Sequence, residues 1–176
     1  MKFLETKIQG LYIIELEKIE DERGYFARTF DKKEFLEMGL TNNFIQFSLS
    51  CNKKKGTFRG MHFQREPYSE TKIVSCVKGK IFDVIVDLRK ESPTFKQWES
   101  NELDSNNHAM LYIPNGIAHG FQTLIDDSEV SYQMSQEFYP EYYTGVKWND
   151  PAFSIRLPLP VSVISQRDSS FASFEQ

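Results

Sequence analysis

The chain has 176 residues, 40% of them hydrophobic and 26% charged, which suits one globular domain with a sizeable core and excludes a disordered chain. Its net charge of −4 excludes a general nucleic-acid binder, which needs a basic surface, yet leaves room for a few local cations that hold one phosphorylated small molecule. Aromatic residues make up 14%, with 15 Phe and 8 Tyr, and favour strands and an aromatic-lined cavity over a helical bundle.

Residues 3–19 alternate loosely, with Ile8, Leu11, Ile13, Leu16 and Ile19 apolar among Glu and Lys, and predict one or two half-buried strands. Asp21-Glu-Arg-Gly24 is a turn, and residues 25–30 read as a strand. Asp31 and Glu34 form an Asp-x-x-Glu cap for a helix of about two turns, with Phe35, Leu36 and Met38 as its apolar face and Gly39 as its stop. Residues 44–50 and 57–63 read as strands around the solvated basic turn Lys53-Lys-Lys55-Gly56. Residues 72–77 and 81–88 predict a hairpin closed by Lys78-Gly79-Lys80. In the second of these runs Phe82, Val84, Val86 and Leu88 share one face, and Ile81, Asp83, Ile85 and Asp87 the other.

Further strands are expected over 97–103, 110–114, 119–125 and 129–135, with 141–145 as a turn or loop. Short strands at regular spacing, little helix and no internal boundary point to one all-β domain, a β-sandwich or jelly roll, spanning 1–176. The longest uncharged run, 105–125, contains Pro114 and two glycines and is no membrane helix. Cys51 and Cys76 form no Cys-x-x-Cys pair, so neither a zinc site nor a disulfide framework is indicated. Glu5 follows Met-Lys-Phe-Leu, so no secretory leader is expected and a cytoplasmic location is.

The chemistry concentrates in Arg59-Gly-Met-His-Phe-Gln64, followed by Lys72, in a chain with only three histidines. Ile113-Pro-Asn-Gly-Ile-Ala-His-Gly-Phe-Gln122 supplies His119. Lys78-Gly-Lys-Ile-Phe-Asp-Val84, Val86-Asp-Leu-Arg89-Lys-Glu-Ser-Pro-Thr94 and Trp148-Asn-Asp-Pro-Ala152 complete a set of separated motifs in order. Together they resemble the dTDP-4-dehydrorhamnose 3,5-epimerase family of the cupin superfamily, over about residues 3 to 170.

That resemblance implies a cupin jelly roll, a cytoplasmic homodimer, no metal and no cofactor. The implied substrate is a nucleotide-diphosphate-linked 4-keto-6-deoxy sugar, whose ketone acidifies the hydrogens on both neighbouring carbons. His62 takes the family's base position, and histidine titrates in the range a base needs. Asp168, in Ser165-Gln-Arg-Asp168, matches its carboxylate partner; a serine-capped helix turn is the competing explanation of that residue. Lys72 is implied to hold the enolate oxygen, and Tyr132 to return a proton on the opposite face. Arg23, Phe26, Gln46, Arg59, His119 and Phe138 are implied to bind substrate, the arginines suiting diphosphate.

Three positions depart from the family pattern. Phe138 stands where a second tyrosine is usual, Phe47-Ser48-Leu49 where Asp-Asn-His is, and Arg28 where a glutamate is. Inversion at one carbon, or a CDP- or GDP-linked sugar, therefore stands beside the dTDP-linked double inversion. A non-catalytic sugar-nucleotide-binding cupin and a keto-isomerase are the alternatives from other classes. A metal cupin would use His62, His119 and Glu70, but Gln64 breaks the Gly-x5-His-x-His pattern that such a site needs.

Overall fold

Short β-rich runs, many of them followed by turn residues, are shared between two facing antiparallel sheets. The computed structural model describes residues 1–174. In chain order the elements are β1 (Lys2–Glu5), β2 (Tyr12–Glu15), β3 (Lys18–Asp21), β4 (Gly24–Ala27), α1 (Lys32–Glu37), β5 (Gln46–Asn52), β6 (Phe58–Gln64) and β7 (Lys72–Lys78). Then follow β8 (Lys80–Asp87), β9 (Trp98–Asp104), β10 (Met110–Ile113), β11 (Ile117–Thr123), β12 (Ser128–Met134), β13 (Tyr143–Gly145) and α2 (Gln166–Ser169). One sheet has six strands in the order β1-β2-β10-β7-β12-β5, the other five in the order β13-β6-β11-β8-β9, and the β3–β4 hairpin stands apart.

The sheets enclose an apolar layer that includes Leu11, Val74, Ile85, Leu111, Phe121 and Val130. A second cluster, including Phe58, Met61, Val84 and Phe153, covers the outside of the five-stranded sheet with the C-terminal segment. A third packs Phe35 of α1 onto Ile14, Ile73 and Tyr112, outside the six-stranded sheet. The result is the expected cupin-type jelly roll, nearly all β with two short helices.

The 72–88 hairpin is not formed. β7 pairs with β10 and β12, whereas β8 pairs with β9 and β11 in the opposite sheet. Gly79, at φ 81°, turns the chain from one sheet to the other, and a Cβ there would lie 2.5 Å from Ser128 Oγ. The faces of β8 are as its alternation predicts, with Ile81 and Ile85 between the sheets and Phe82, Val84 and Val86 outside. Both faces are covered, so periodicity sets which side each residue takes but not which strand lies alongside.

Asp31 caps α1 as expected, accepting from the backbone N–H groups of Lys33 and Glu34. Glu34 does not close a capping box. It binds the terminal amine of Met1 at 2.7 Å instead. Phe35 alone of the predicted apolar face is buried, while Leu36 and Met38 are exposed. A six-residue helix offers the core one stripe, and neighbours of Phe35 turn about 100° away per residue. One element lay outside the sequence expectations, since β13 replaces a predicted loop; α2 forms on the cap that Ser165 was expected to provide.

Candidate active site

The site begins with an irregularity in β6. Residues three apart in a regular strand face opposite ways, yet Arg59 and His62 both line one cavity. On β11 their register partners are Phe121 and His119, two apart, so β6 carries an extra residue at this point. Gly60, at φ 140°, sits in the bulge, and a Cβ on it would meet Gly120 Cα at 2.5 Å. The Arg-Gly-Met-His spacing is thus a backbone requirement that turns two functional side chains inward together.

His62 Nε2 lies 2.8 Å from Asp168 Oδ1. Asp168 is fixed from three sides: Gly60 N donates to its Oδ2 at 3.1 Å, its own N–H donates to Ser165 Oγ at 3.0 Å, and α2 carries its backbone. The helix-cap explanation of Asp168 and the base-partner role are therefore both met by one residue. Burial holds the His62 imidazole below its ordinary pKa, outweighing Asp168, and nearby Lys72 and His119 push the same way. A neutral ring at neutral pH is a competent base. For Asp168 burial acts upward, but the bonds from His62, Gly60 and Ser165 win and keep it ionised.

The facing wall comes from the six-stranded sheet. Lys72 starts β7, pointing inward beside Val74, and its Nζ lies 2.9 Å from Glu70 Oε1 with both side chains almost buried. Tyr132 on β12 projects from the same wall, its hydroxyl 3.5 Å from Ser50 Oγ. Burial raises the phenol's pKa well above the ordinary value, so it keeps its proton. Gln46, Ser48 and Ser50 alternate inward along β5, while Arg59 reaches across to donate from Nε to Asn52 Oδ1 at 2.6 Å. His119, on β11, bonds buried Asp83 at 2.6 Å. These walls enclose about 280 Å³, with Phe138 at the rim. A base, a cation and a protonated phenol around one space can take a proton from carbon, hold the resulting anion and give a proton back.

A profile of the dTDP-4-dehydrorhamnose 3,5-epimerase family matches residues 5–176. The dTDP-4-dehydrorhamnose 3,5-epimerase of Methanothermobacter thermautotrophicus is 41% identical over 97% of this chain and 92% of its own length. The chain belongs to this family. Its backbone superposes on the crystal structure of dTDP-4-dehydrorhamnose 3,5-epimerase from Bacillus anthracis, solved with TDP and PPi bound, with a TM-score of 0.95 at 38% identity, covering 98% of this chain and 99% of that one. The Legionella pneumophila dTDP-6-deoxy-D-glucose-3,5-epimerase, in complex with dTDP-4-keto-L-rhamnose, gives a TM-score of 0.90 at 36% identity over 97% and 90% of the two chains.

Of the positions that likeness to the epimerase family nominated, His62, Lys72, Tyr132, Gln46, Arg59, His119 and Phe138 line the cavity, with Asp168 directly behind His62. Arg23 and Phe26 do not reach it. They lie on the β3–β4 hairpin, 84% exposed at the Arg23 side chain and 67% at Phe26, with Arg23 paired to Asp21. A motif in sequence order carries no statement about which surface a protruding hairpin meets.

Asp83, Glu70 and Tyr143 also join the site, and of these only Glu70 carried an expected site role, as a ligand of a metal cupin. Asp83 faces His119, and its inward position was readable from the alternation of β8. Glu70 pairs with Lys72, two residues on, but lies in a turn whose course no periodicity predicts. Tyr143 enters on β13, a strand too short to signal itself. Among the described residues no three His, Cys, Asp or Glu side chains gather as metal ligands, and no helix is long and apolar enough to cross a membrane.

Proposed function

We propose that the chain, working as one domain, epimerises a nucleotide-diphosphate-linked 4-keto-6-deoxy sugar. His62 removes a proton from a carbon next to the ketone. The C–H electron pair becomes the enolate double bond, and the oxygen's new charge meets the ammonium of Lys72. Tyr132 delivers a proton to the other face of the same carbon, and the carbonyl re-forms with that centre inverted. The observation that carries this reading is that His62, backed by Asp168, and Lys72 and Tyr132 project into one cavity from opposite sheets. Arg59, Gln46 and His119 bind the sugar and diphosphate, and Phe138 offers a flat face at the rim to the nucleobase.

The relatives bound to TDP and to a dTDP-linked keto sugar favour a dTDP-linked substrate here. Inversion at a single carbon is the second reading, favoured by Phe138, which lines the cavity without a hydroxyl to donate. Incubation with dTDP-, CDP- and GDP-linked 4-keto-6-deoxy sugars in deuterated water separates these by NMR. Deuterium at both carbons flanking the ketone, with inversion, marks a 3,5-epimerase; label and inversion at one carbon mark a mono-epimerase. A moved carbonyl marks a keto-isomerase, and no label with any of the three nucleotides removes the enzymatic reading.

The working form we propose is a cytoplasmic homodimer. Phe47 and Leu49 stand 67% and 61% exposed on the outer face of the edge strand β5, and the β3–β4 hairpin shows Ile19 and Phe26 to solvent. A second copy is the partner that would cover these residues and give Arg23 and Phe26 a substrate site to reach.

A further inference from the structure

Behind the active site lies a second cavity, of about 370 Å³, between β6, β13 and the segment that leads into α2. It borders the far side of Asp168. Arg59, His62 and Tyr143 line both spaces, so the base is approachable from two directions. Tyr143 is the aromatic part of that partition. Its ring centroid is 5.2 Å from that of His62 and 5.1 Å from that of Phe138, and the Arg167 guanidinium lies 4.4 Å over its face. Phe171 adds an edge contact to His62 at 5.8 Å. β13 exists to hold Tyr143 here: Tyr143 and Gly145 pair with Gln64 and His62, and a Cβ on Gly145 would lie 2.4 Å from Phe171.

We propose that Tyr143 is a positioning residue for the epimerase reaction, its ring covering one side of the His62 imidazole and limiting the water that reaches it from the rear cavity. The inference rests on His62 being the base. The charged and titratable groups around that ring are Asp168 and Arg167 from α2, Lys72 from β7 with its partner Glu70, His119 from β11 backed by Asp83, Arg59 from β6 and Tyr132 from β12. None of these is removed when Tyr143 is changed. What changes is water. Burial is the largest influence on His62 and lowers its pKa, so admitting solvent from behind raises it, while Asp168 continues to favour the charged ring. The phenol also keeps its own proton, because burial raises its pKa.

The test follows hydrogen–deuterium exchange at the ring C2 of His62 by mass spectrometry, as a function of pH. The midpoint of the profile reports the titration of the ring, and its plateau reports access of water. Tyr143→Ala is expected to move the midpoint to higher pH and raise the plateau, and the acid limb of kcat/KM for substrate deuteration should move with it. Tyr143→Phe keeps the ring and should leave midpoint and plateau at wild-type values. Tyr143→Leu, a smaller perturbation of the β13 strand, should shift both in the same direction as alanine but less, and decides the matter if the alanine variant does not fold. A midpoint in the leucine or alanine variant that stays put or falls overturns the proposal, as does a phenylalanine variant that shifts as far as alanine. If the wild type deuterates no substrate, the epimerase reading fails while the His62 exchange profile still reports on the wall.

Discussion

Nε2 of His62 lies 2.8 Å from Oδ1 of Asp168, a residue 106 positions further along the chain. The C-terminal segment must dock on the five-stranded sheet before the base acquires its partner. Asp168→Asn keeps the shape, and its amide oxygen can still accept from Gly60. The amide nitrogen, however, presents a donor where the imidazole needs an acceptor, and so selects the wrong tautomer. The expected result is a kcat lower by about 10²-fold or more with KM little changed, and a near-wild-type melting temperature. His62→Asn should abolish deuterium uptake in single-turnover NMR.

The acid side of the pH profile has a defined sign. Burial lowers the His62 pKa beneath the ordinary imidazole value of 6.5, so the base stays neutral, and kcat/KM holds, down to a pH below that value. The unfolded chain binds this proton more readily than the folded one, so stability too falls as pH drops through this range. A second loss follows lower down. Burial pushes the Asp87 carboxyl up, but hydrogen bonds from Arg89, Ser92 and Thr94 dominate and bring it to about 2 from 3.8. Its contribution is full above the unfolded value and disappears as pH falls through the folded one. Urea midpoints measured from pH 7 downward should therefore decline around pH 4 to 2 in the wild type and decline less in Asp87→Asn, which starts lower by about 1–3 kcal/mol.

Tyr132→Phe separates exchange from inversion. The base, its carboxylate and Lys72 are untouched, so proton removal continues, but the proton must return from water or from His62 on the original face. Deuterium uptake should persist at a reduced rate while the inverted product falls sharply. Because burial keeps the wild-type phenol protonated, Tyr132 itself should produce no alkaline fall in rate near neutral pH. Equal loss of uptake and inversion would place Tyr132 in binding rather than in reprotonation.

The sequence exposed the strands and their faces more fully than their neighbours. The alternation of β8 placed Ile81 and Ile85 inside and Phe82 and Val84 outside, as found. It could not place β7 and β8 in different sheets, because the turn at Gly79 satisfies a hairpin and a corner equally well. For the site, the cluster of Arg59, His62, Lys72 and His119 was legible as residue types within motifs, and family likeness added Tyr132 and Asp168. Tyr143 was hidden in a three-residue strand, and the outward course of Arg23 and Phe26 depends on a hairpin that joins neither of the two larger sheets. Part of Val86-Asp-Leu-Arg89-Lys-Glu-Ser-Pro-Thr94 proves to be a carboxylate-centred knot, with Arg89, Ser92 and Thr94 all bonded to Asp87, rather than a catalytic element.

Gly60 links fold and chemistry, and its replacement should damage both. Gly60→Ala would force a methyl to within 2.5 Å of Gly120 Cα at a φ of 140° that side chains rarely adopt. Backbone strain of this type costs about 1–3 kcal/mol, and separation of β6 from β11 adds to it. The bulge that aims Arg59 and His62 together would relax toward regular pairing, and one of the two would turn away from the cavity. A lowered melting temperature together with a kcat loss larger than the unfolded fraction explains is the expected pair of results. Gly116→Ala, whose Cβ would crowd Arg89 Cγ at 2.6 Å and so strain the Asp87 knot, serves as a left-handed-glycine control with a stability loss alone.

Assembly can be tested on β5. Phe47 and Leu49 stand on the outer face of its edge strand, opposite Gln133 and Ser131 of β12, while Gln46, Ser48 and Ser50 turn into the cavity from the same strand. An edge strand with large apolar side chains facing water invites association. Charges there should oppose it without entering the site, since alternate residues of a strand point to opposite faces. Phe47→Asp with Leu49→Lys is expected to convert a dimer into a monomer by sedimentation velocity, with the strand content of the protein retained. If Arg23 and Phe26 serve the partner's substrate, the monomer should show a raised KM while the His62 exchange midpoint stays at its wild-type value, because Asp168, Lys72 and His119, the groups that act on that ring, belong to its own chain. Wild-type protein sedimenting as a monomer at micromolar concentration would sink the dimer. It would also leave the β3–β4 hairpin without a role at the site.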